Sequence, residues 1–176
     1  MNKKELRVEV RKRLSALDEG EKAQKSTMLA LALVVHPRVR EAGCVALFSP
    51  LPDEVQVGDV VEVLARERRV VLPRVEGDVM RFYPFSPAVM RKGSYGILEP
   101  LEGEPVAPEA IDVMVVPGVA FTSCGCRMGR GKGFYDKYMS QPAFTAYKIG
   151  VCYAEQLLDA LPCDEHDVKV DEVVYK

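Results

Sequence analysis

Ile111-Asp112-Val113-Met114-Val115-Val116-Pro117-Gly118 is the stretch that decides how this chain folds. A short apolar run rich in β-branched side chains, closed by Pro-Gly, predicts a buried strand that feeds a loop at its carboxyl end. Cys44-Val45-Ala46-Leu47-Phe48 has the same character, and Ser49-Pro50-Leu51-Pro52-Asp53-Glu54 leaves it as a second loop. Arg69-Val70-Val71-Leu72, closed by Pro73, and Val79-Met80-Arg81-Phe82-Tyr83 read as further short strands. So do Tyr147-Lys148-Ile149-Gly150-Val151-Cys152 and Val173-Val174-Tyr175.

Helices are predicted between these strands. Leu6, Val10, Leu14 and Leu17 fall on one helical face, with Lys3, Lys4, Arg7, Arg11 and Lys12 elsewhere on the surface. A second helix is expected over about 21–36, stopped by Pro37, a third over 57–66, and a fourth from Phe134 to Met139. Residues 84–110, rich in Pro, Gly and Glu, read as an excursion over the surface. The alternation gives one α/β domain spanning residues 1–176, with a mostly parallel sheet flanked by helices in an open, three-layer, Rossmann-like arrangement. Ligands of such sheets sit beyond the carboxyl ends of the strands, so loops 49–54 and 117–133 are expected to meet at one site.

Composition narrows the function. A chain of 176 residues with 48% apolar and 28% charged residues has enough material for a full core. A net charge of −2 provides no basic field for nucleic acid. The longest apolar stretch, Met28 to Val35, is too short to span a bilayer, and the charged N-terminal segment does not resemble a signal peptide. Five scattered cysteines, at 44, 124, 126, 152 and 163, suit a reducing cytoplasm. Cys124-Gly125-Cys126 lacks a second Cys or His pair at ligand spacing, so these read as inert thiols.

The segment Arg127-Met128-Gly129-Arg130-Gly131-Lys132-Gly133-Phe134-Tyr135-Asp136 carries the chemistry. Its glycines let backbone N–H groups converge, and Arg130 and Lys132 add positive charge, which together predict a polyphosphate cradle. It is not a Walker A loop, because Cys126 and Gly133 stand where Gly and Ser or Thr would be needed. Asp136 is placed to hold a hard cation beside phosphates. Near the C-terminus, Asp164, Glu165, Asp167, Asp171 and Glu172 form an acidic run, mostly expected to be solvated; one member paired with Asp136 would complete a magnesium site. His166 is expected to be merely hydrogen-bonded.

The combined pattern resembles the 5-formyltetrahydrofolate cyclo-ligase family, also called methenyltetrahydrofolate synthetase. The matching segments are Lys3-Lys4-Glu5-Leu6-Arg7, Asp53-Glu54-Val55, Tyr95-Gly96-Ile97-Leu98-Glu99-Pro100, Val116-Pro117-Gly118-Val119-Ala120-Phe121, Gly125 through Asp136, and His166-Asp167-Val168-Lys169-Val170-Asp171. The resemblance implies ATP as co-substrate and Mg²⁺ as cofactor. It places Lys3, Lys4 and Arg7 at the ATP phosphates, with Arg127, Gly129, Arg130 and Gly131 around the nucleotide. Lys132, Gly133, Phe134 and Tyr135 complete that ATP-binding loop. Ser49, Glu54, Arg130, Phe134 and Tyr135 would contact the folate, and Asp136 and Asp167 the metal. Lys132, Arg130 and Arg127 would be catalytic, stabilising the transferring phosphoryl group.

There are departures. Thr122 stands where the family commonly has Asp, Met128 where it has Leu, and Phe134 where it has Tyr. The implied reaction phosphorylates the formyl oxygen and closes the ring through N10, giving 5,10-methenyltetrahydrofolate, ADP and phosphate. It needs positioning and charge more than a protein nucleophile. Two other readings remain compatible with the residues: a non-catalytic folate- or nucleotide-binding relative, and a sugar-phosphate enzyme on a similar frame. The expected partners are folate and ATP, without nucleic acid or membrane, in a monomer or weak homo-oligomer.

Overall fold

The computed structural model describes residues 1–93, 98–100 and 103–176. Two helices open the chain, α1 (Lys3–Ser15) and α2 (Glu19–Val34). Each begins with a capping box, Asn2 with Glu5 and Asp18 with Glu21, which satisfies orphan N–H groups at both ends of the reciprocal pair. Pro37 does not only stop α2. It starts a further short helix, α3 (Pro37–Glu41), at the first helical position, where a missing N–H costs nothing.

A six-stranded sheet follows, with β1 (Cys44–Ala46), β2 (Arg69–Glu76), β3 (Val79–Pro84), β6 (Val113–Val116), β9 (Tyr147–Cys152) and β10 (Glu172–Tyr175). Its spatial order is β10-β9-β6-β1-β2-β3, and only the β2–β3 hairpin is antiparallel. Helix α4 (Gly58–Leu64) connects β1 to β2. Pro73 does not close β2, contrary to the sequence expectation. Pairing of β2 with β1 has ended at Val71, so a residue without N–H is tolerated at 73 while β2 continues alongside β3. The excursion contains a small ribbon of β4 (Met90–Lys92) and β5 (Leu98–Pro100). Tyr95, Gly96 and Ile97 of the matching segment lie outside the described residues.

Side chains alternate between two cores because successive strand residues point to opposite faces. Val45, Leu47, Val70, Leu72, Val113, Val115, Ile149 and Val151 meet α1 to α4 on one face. Ala46, Val71, Met114, Val116 and Cys152 face the other, where Phe82, Phe121, Tyr138 and Phe144 cover them. Tyr138 belongs to α5 (Phe134–Met139), which starts where the sequence predicted. The expected open, three-layer α/β architecture is therefore present.

The strand order also fixes the site. From β1 the chain runs outward through β2 and β3, then returns to β6 on the other side of β1 and runs outward through β9 and β10. The sheet therefore reverses its winding between β1 and β6. Loops leaving the carboxyl ends of these two strands diverge there and leave a crevice.

Candidate active site

A cleft of about 780 Å³ opens at this reversal. Ser49, Leu51 and Glu54 reach it from the loop after β1, and Pro117 and Gly118 from the end of β6. The ribbon of β7 (Ala120–Phe121) and β8 (Arg127–Met128) then delivers the 129–133 loop to its rim. Loops 49–54 and 117–133 thus meet, as expected. Their contact is ionic: Arg130 Nη2 lies 2.6 Å from Asp53 Oδ1 and 3.1 Å from Glu54 Oε1, and Arg130 Nε donates to the same Glu54 oxygen at 3.2 Å. Glu54 Oε2 accepts the Leu51 N–H at 2.9 Å, so the carboxylate is held from two sides.

Positive φ at Gly131 (102°) and Gly133 (73°) makes the loop's tight path open to glycine and strained for other residues. Lys132 between them is exposed and makes no ion pair or hydrogen bond among the described residues. Arg127 is the opposite case. Its side chain is 4% exposed, donates from Nη1 to Pro117 O at 2.9 Å, and lies 3.4 Å from Asp136 Oδ2 through Nη2. Its guanidinium sits 5.5 Å from the Tyr135 ring centre. The Tyr135 phenol is held well above its usual pKa, first by burial and then by the Glu54 charge, against a lowering by Arg127. It therefore stays protonated and can act as a hydrogen-bond donor.

The basic face of α1 divides. Arg7 Nε donates to Gly129 O at 2.9 Å and so props the phosphate loop from behind. Lys3 lines the cleft, with Nζ 2.6 Å from Asp167 Oδ2 and 3.0 Å from Asp164 Oδ2. Lys4 is exposed and stands apart from the cleft lining, because one residue along a helix turns the side chain about a quarter of the way round. The structure therefore brings Lys3 and Arg7 to the cleft and leaves Lys4 away from it.

Asp136 and Asp167 lie in the same wall. Asp136 Oδ1 accepts the N–H of Val168, the residue after Asp167, at 3.0 Å, which ties the two carboxylate segments together. Among the described residues no group of three or more His, Cys, Asp or Glu is arranged to hold a metal ion. Two hard carboxylates suit magnesium that arrives with phosphate oxygens and water, better than an ion fully caged by protein. In this donor set Asp167 also serves Lys3, so the metal and the lysine would compete for one oxygen.

The rest of the acidic run is mostly exposed, as the sequence suggested, but several of its members are ion-paired. Asp171 accepts the Lys148 N–H at 2.7 Å and pairs with its ammonium at 3.2 Å, while Glu172 meets His36 at 2.8 Å. Glu165 and His166, each with a side chain 86% exposed, match a solvated segment most fully. Ser49 and Phe134 both reach the lining. Sequence reasoning missed the apolar wall formed by Phe48, Pro73, Val75, Met80 and Met128, and the buried Glu99 beside it. Nothing in their local sequence marks them; only strand register turns them toward the cleft.

Comparison with known proteins gives the family. A family model described as the 5-formyltetrahydrofolate cyclo-ligase family matches residues 1–176. A mouse 5-formyltetrahydrofolate cyclo-ligase is 30% identical over 99% of this chain and 93% of the mouse protein. The Escherichia coli K12 enzyme of the same name is 30% identical over 94% of this chain and 95% of its own length. The solved structure of Aquifex aeolicus 5,10-methenyltetrahydrofolate synthetase superposes with a TM-score of 0.89 and 38% identity, covering 99% of this chain and 90% of that one. With its reversal-point cleft, its glycine-cation loop and a family match along its whole length, the chain belongs to the 5-formyltetrahydrofolate cyclo-ligase family.

Proposed function

We propose that this cleft binds ATP and 5-formyltetrahydrofolate side by side and produces 5,10-methenyltetrahydrofolate, ADP and phosphate with the help of Mg²⁺. One observation carries the reading. A single cleft joins a cationic glycine loop to an apolar wall that ends in the positioned carboxylate of Glu54. The loop suits phosphates, and the wall with Glu54 suits a flat ring bearing paired N–H donors. A volume of about 780 Å³ lies high in the range of ~300–1,000 Å³ usual for ligand sites, as an open two-ligand site requires.

The difficulty of the reaction is a poor leaving group. The formyl oxygen is an amide oxygen, and ring closure must expel it. Transfer of the γ-phosphoryl group breaks the bond to the β–γ bridging oxygen and forms one to the formyl oxygen. N10 then attacks the activated carbon and gives up its proton, and phosphate leaves with the former formyl oxygen. Lys132, without an ion pair or hydrogen bond among the described residues, would follow the transferring oxygens. Arg130 bridges Glu54 and the loop, so it would align folate and nucleotide while adding charge. Arg127 is already fixed by Pro117 and Asp136, so its charge needs little reorganisation when phosphate charge develops. Asp136 and Asp167 would hold Mg²⁺, whose role when bound is to neutralise the phosphate oxygens. Such catalysis rests on positioning and electrostatics and requires no covalent enzyme intermediate.

The direct test mixes purified protein with 5-formyltetrahydrofolate, Mg²⁺ and ATP and follows the absorbance of the methenyl product. A rise that requires ATP is expected. Folded protein that gives no rise, or a rise indifferent to nucleotide, would reject the proposal.

A further inference from the structure

Immediately before Arg127 lies a thiol cluster that the proposed reaction does not use. Cys124 is exposed and Cys126 is buried, and their sulfurs are 3.9 Å apart. Gly125 between them has φ of 86°, and a Cβ there would fall 2.2 Å from Val170 O, so this turn is closed to other residues. The turn is what lets the two flanking thiols face each other. Thr122 is buried beneath it. Its Oγ1 accepts the Cys126 N–H at 3.1 Å and lies 3.1 Å from Cys124 Sγ, within reach to donate its proton once that sulfur is a thiolate. A carboxylate at 122 would oppose a thiolate at 124; the hydroxyl supports one.

The surroundings sort the thiols. Cys124 is held below its ordinary pKa, first by the Thr122 hydroxyl, then by the Cys126 backbone and thiol and the Lys169 charge. Cys163, exposed and also close to Cys126, is pushed up to about 11, first by partial desolvation and then by that neighbour. Cys44 and Cys152 are buried, and burial raises both. Of the two exposed thiols, Cys124 and Cys163, Cys124 is thus the one favoured as thiolate, and Cys126, 3.9 Å away, is the nearby sulfur able to resolve it. Spacing along the chain gives inert thiols; the folded turn does not.

We propose that Cys124 and Cys126 form a redox-active dithiol that a hydroperoxide converts to a disulfide, and that this bond alters the adjoining nucleotide wall. The Cys124 thiolate attacks the peroxide; the O–O bond breaks, an S–O bond forms, and water or an alcohol departs. Cys126 sulfur then attacks the sulfenic sulfur. The S–S bond forms, the S–O bond breaks, and hydroxide leaves with the Cys126 proton as water. Two electrons pass from the thiols to the peroxide. Closing the bond requires the sulfurs to approach from 3.9 Å to about 2.0 Å. The turn must shift to allow it. Cys126 is bonded directly to Arg127, and Gly125 O accepts the Val170 N–H at 2.9 Å, close to the Asp167 segment. Both walls of the proposed phosphate end are therefore attached to the moving turn.

The experiment treats the reduced protein with hydrogen peroxide, denatures it and counts thiols, with masses taken after alkylation. The count should fall from five to three, with the bond mapped to residues 124 and 126 and all five thiols restored by dithiothreitol. Cys124→Ser should lose no thiol pair, and Cys163→Ser should lose the pair as the parent does. A Cys124→Ser protein that still loses two thiols, or a parent that keeps five, would overturn the site. Coupling is read separately as the thermal shift produced by Mg²⁺ and ATP, which should be at least halved in the oxidised protein and unchanged in reduced Cys124→Ser. An equal shift in both redox forms would overturn the coupling. A reduced parent with no shift at all would count against ATP binding, while the thiol map would still decide the dithiol.

Discussion

Lys3 Nζ lies 2.6 Å from Asp167 Oδ2, which joins the first turn of the first helix to the acidic segment near the other end of the chain. The bond to Asp167 raises the Lys3 pKa above its ordinary 10.5, against a lowering by burial, and Lys3 in turn holds Asp164 below its ordinary 3.8. The signs fix the pH window. Stability from a raised lysine is complete below 10.5 and is lost as pH climbs through the higher folded value. Stability from a lowered aspartate is complete above 3.8 and is lost as pH falls toward the lower folded value. Lys3→Met should therefore lower the melting temperature slightly between those limits and by less outside them. Ion pairs with one partner open to water contribute little, so a large loss at neutral pH would show a different role. The same variant should raise KM for ATP several-fold more than KM for folate.

Lys132→Ala should separate catalysis from stability. The side chain is exposed and unpartnered among the described residues, so unfolding free energy should move by no more than ~0.5 kcal/mol. Loss of one charge that acts on the transferring group should lower kcat by about 10²-fold or more. Near-parent turnover in this variant would remove the loop from the phosphoryl-transfer step.

Asp136→Asn keeps an oxygen for the Val168 N–H but gives up the anion facing Arg127 and the proposed metal. The magnesium concentration for half-maximal activity should rise about tenfold, a change of about 1.4 kcal/mol in ion affinity. Stability should fall by about 1–3 kcal/mol because the buried guanidinium loses a charged partner. A magnesium titration that overlays the parent's would exclude Asp136 as a ligand.

Glu54→Gln removes the charge that Arg130 contacts while preserving shape. KM for 5-formyltetrahydrofolate should rise about tenfold or more, as expected when a charge-assisted hydrogen bond worth about 1.5–3 kcal/mol is weakened. KM for ATP should change less. Equal effects on both would place Glu54 in loop support and not in folate recognition.

Gly150→Ala tests the packing that seats β7 on the sheet. A Cβ at 150 would meet Phe121 Cε1 at 2.6 Å, and the ring is backed on another side by Gly118, where a Cβ would lie 2.7 Å from Cζ. The fully buried ring has no room to retreat. Urea unfolding should show a loss of about 1–3 kcal/mol, the usual cost of overpacking. An unchanged midpoint would mean that the ring and strand adjust freely.

The sequence by itself determined the elements and much of the chemistry. Apolar runs such as 113–116 and 147–152 are buried strands because a parallel sheet hides both faces, and that requirement is visible residue by residue. The start of α5 at Phe134 was likewise legible from Gly133 and the apolar residues after it. Local pattern was less informative at Pro73 and Pro37, where the neighbouring strand and the preceding helix decide whether a missing N–H matters. It was silent about long-range pairing. Asp167 and Asp171 look alike in sequence, yet one faces Lys3 and the cleft while the other is tied to Lys148. The same holds for Lys3 and Lys4, and for the 124–126 thiols, whose neighbour Thr122 makes sense only in the folded turn. Composition and periodicity set which residues are buried, because water sorts side chains locally. Which charges meet depends on strand order and register, and these are properties of the whole sheet.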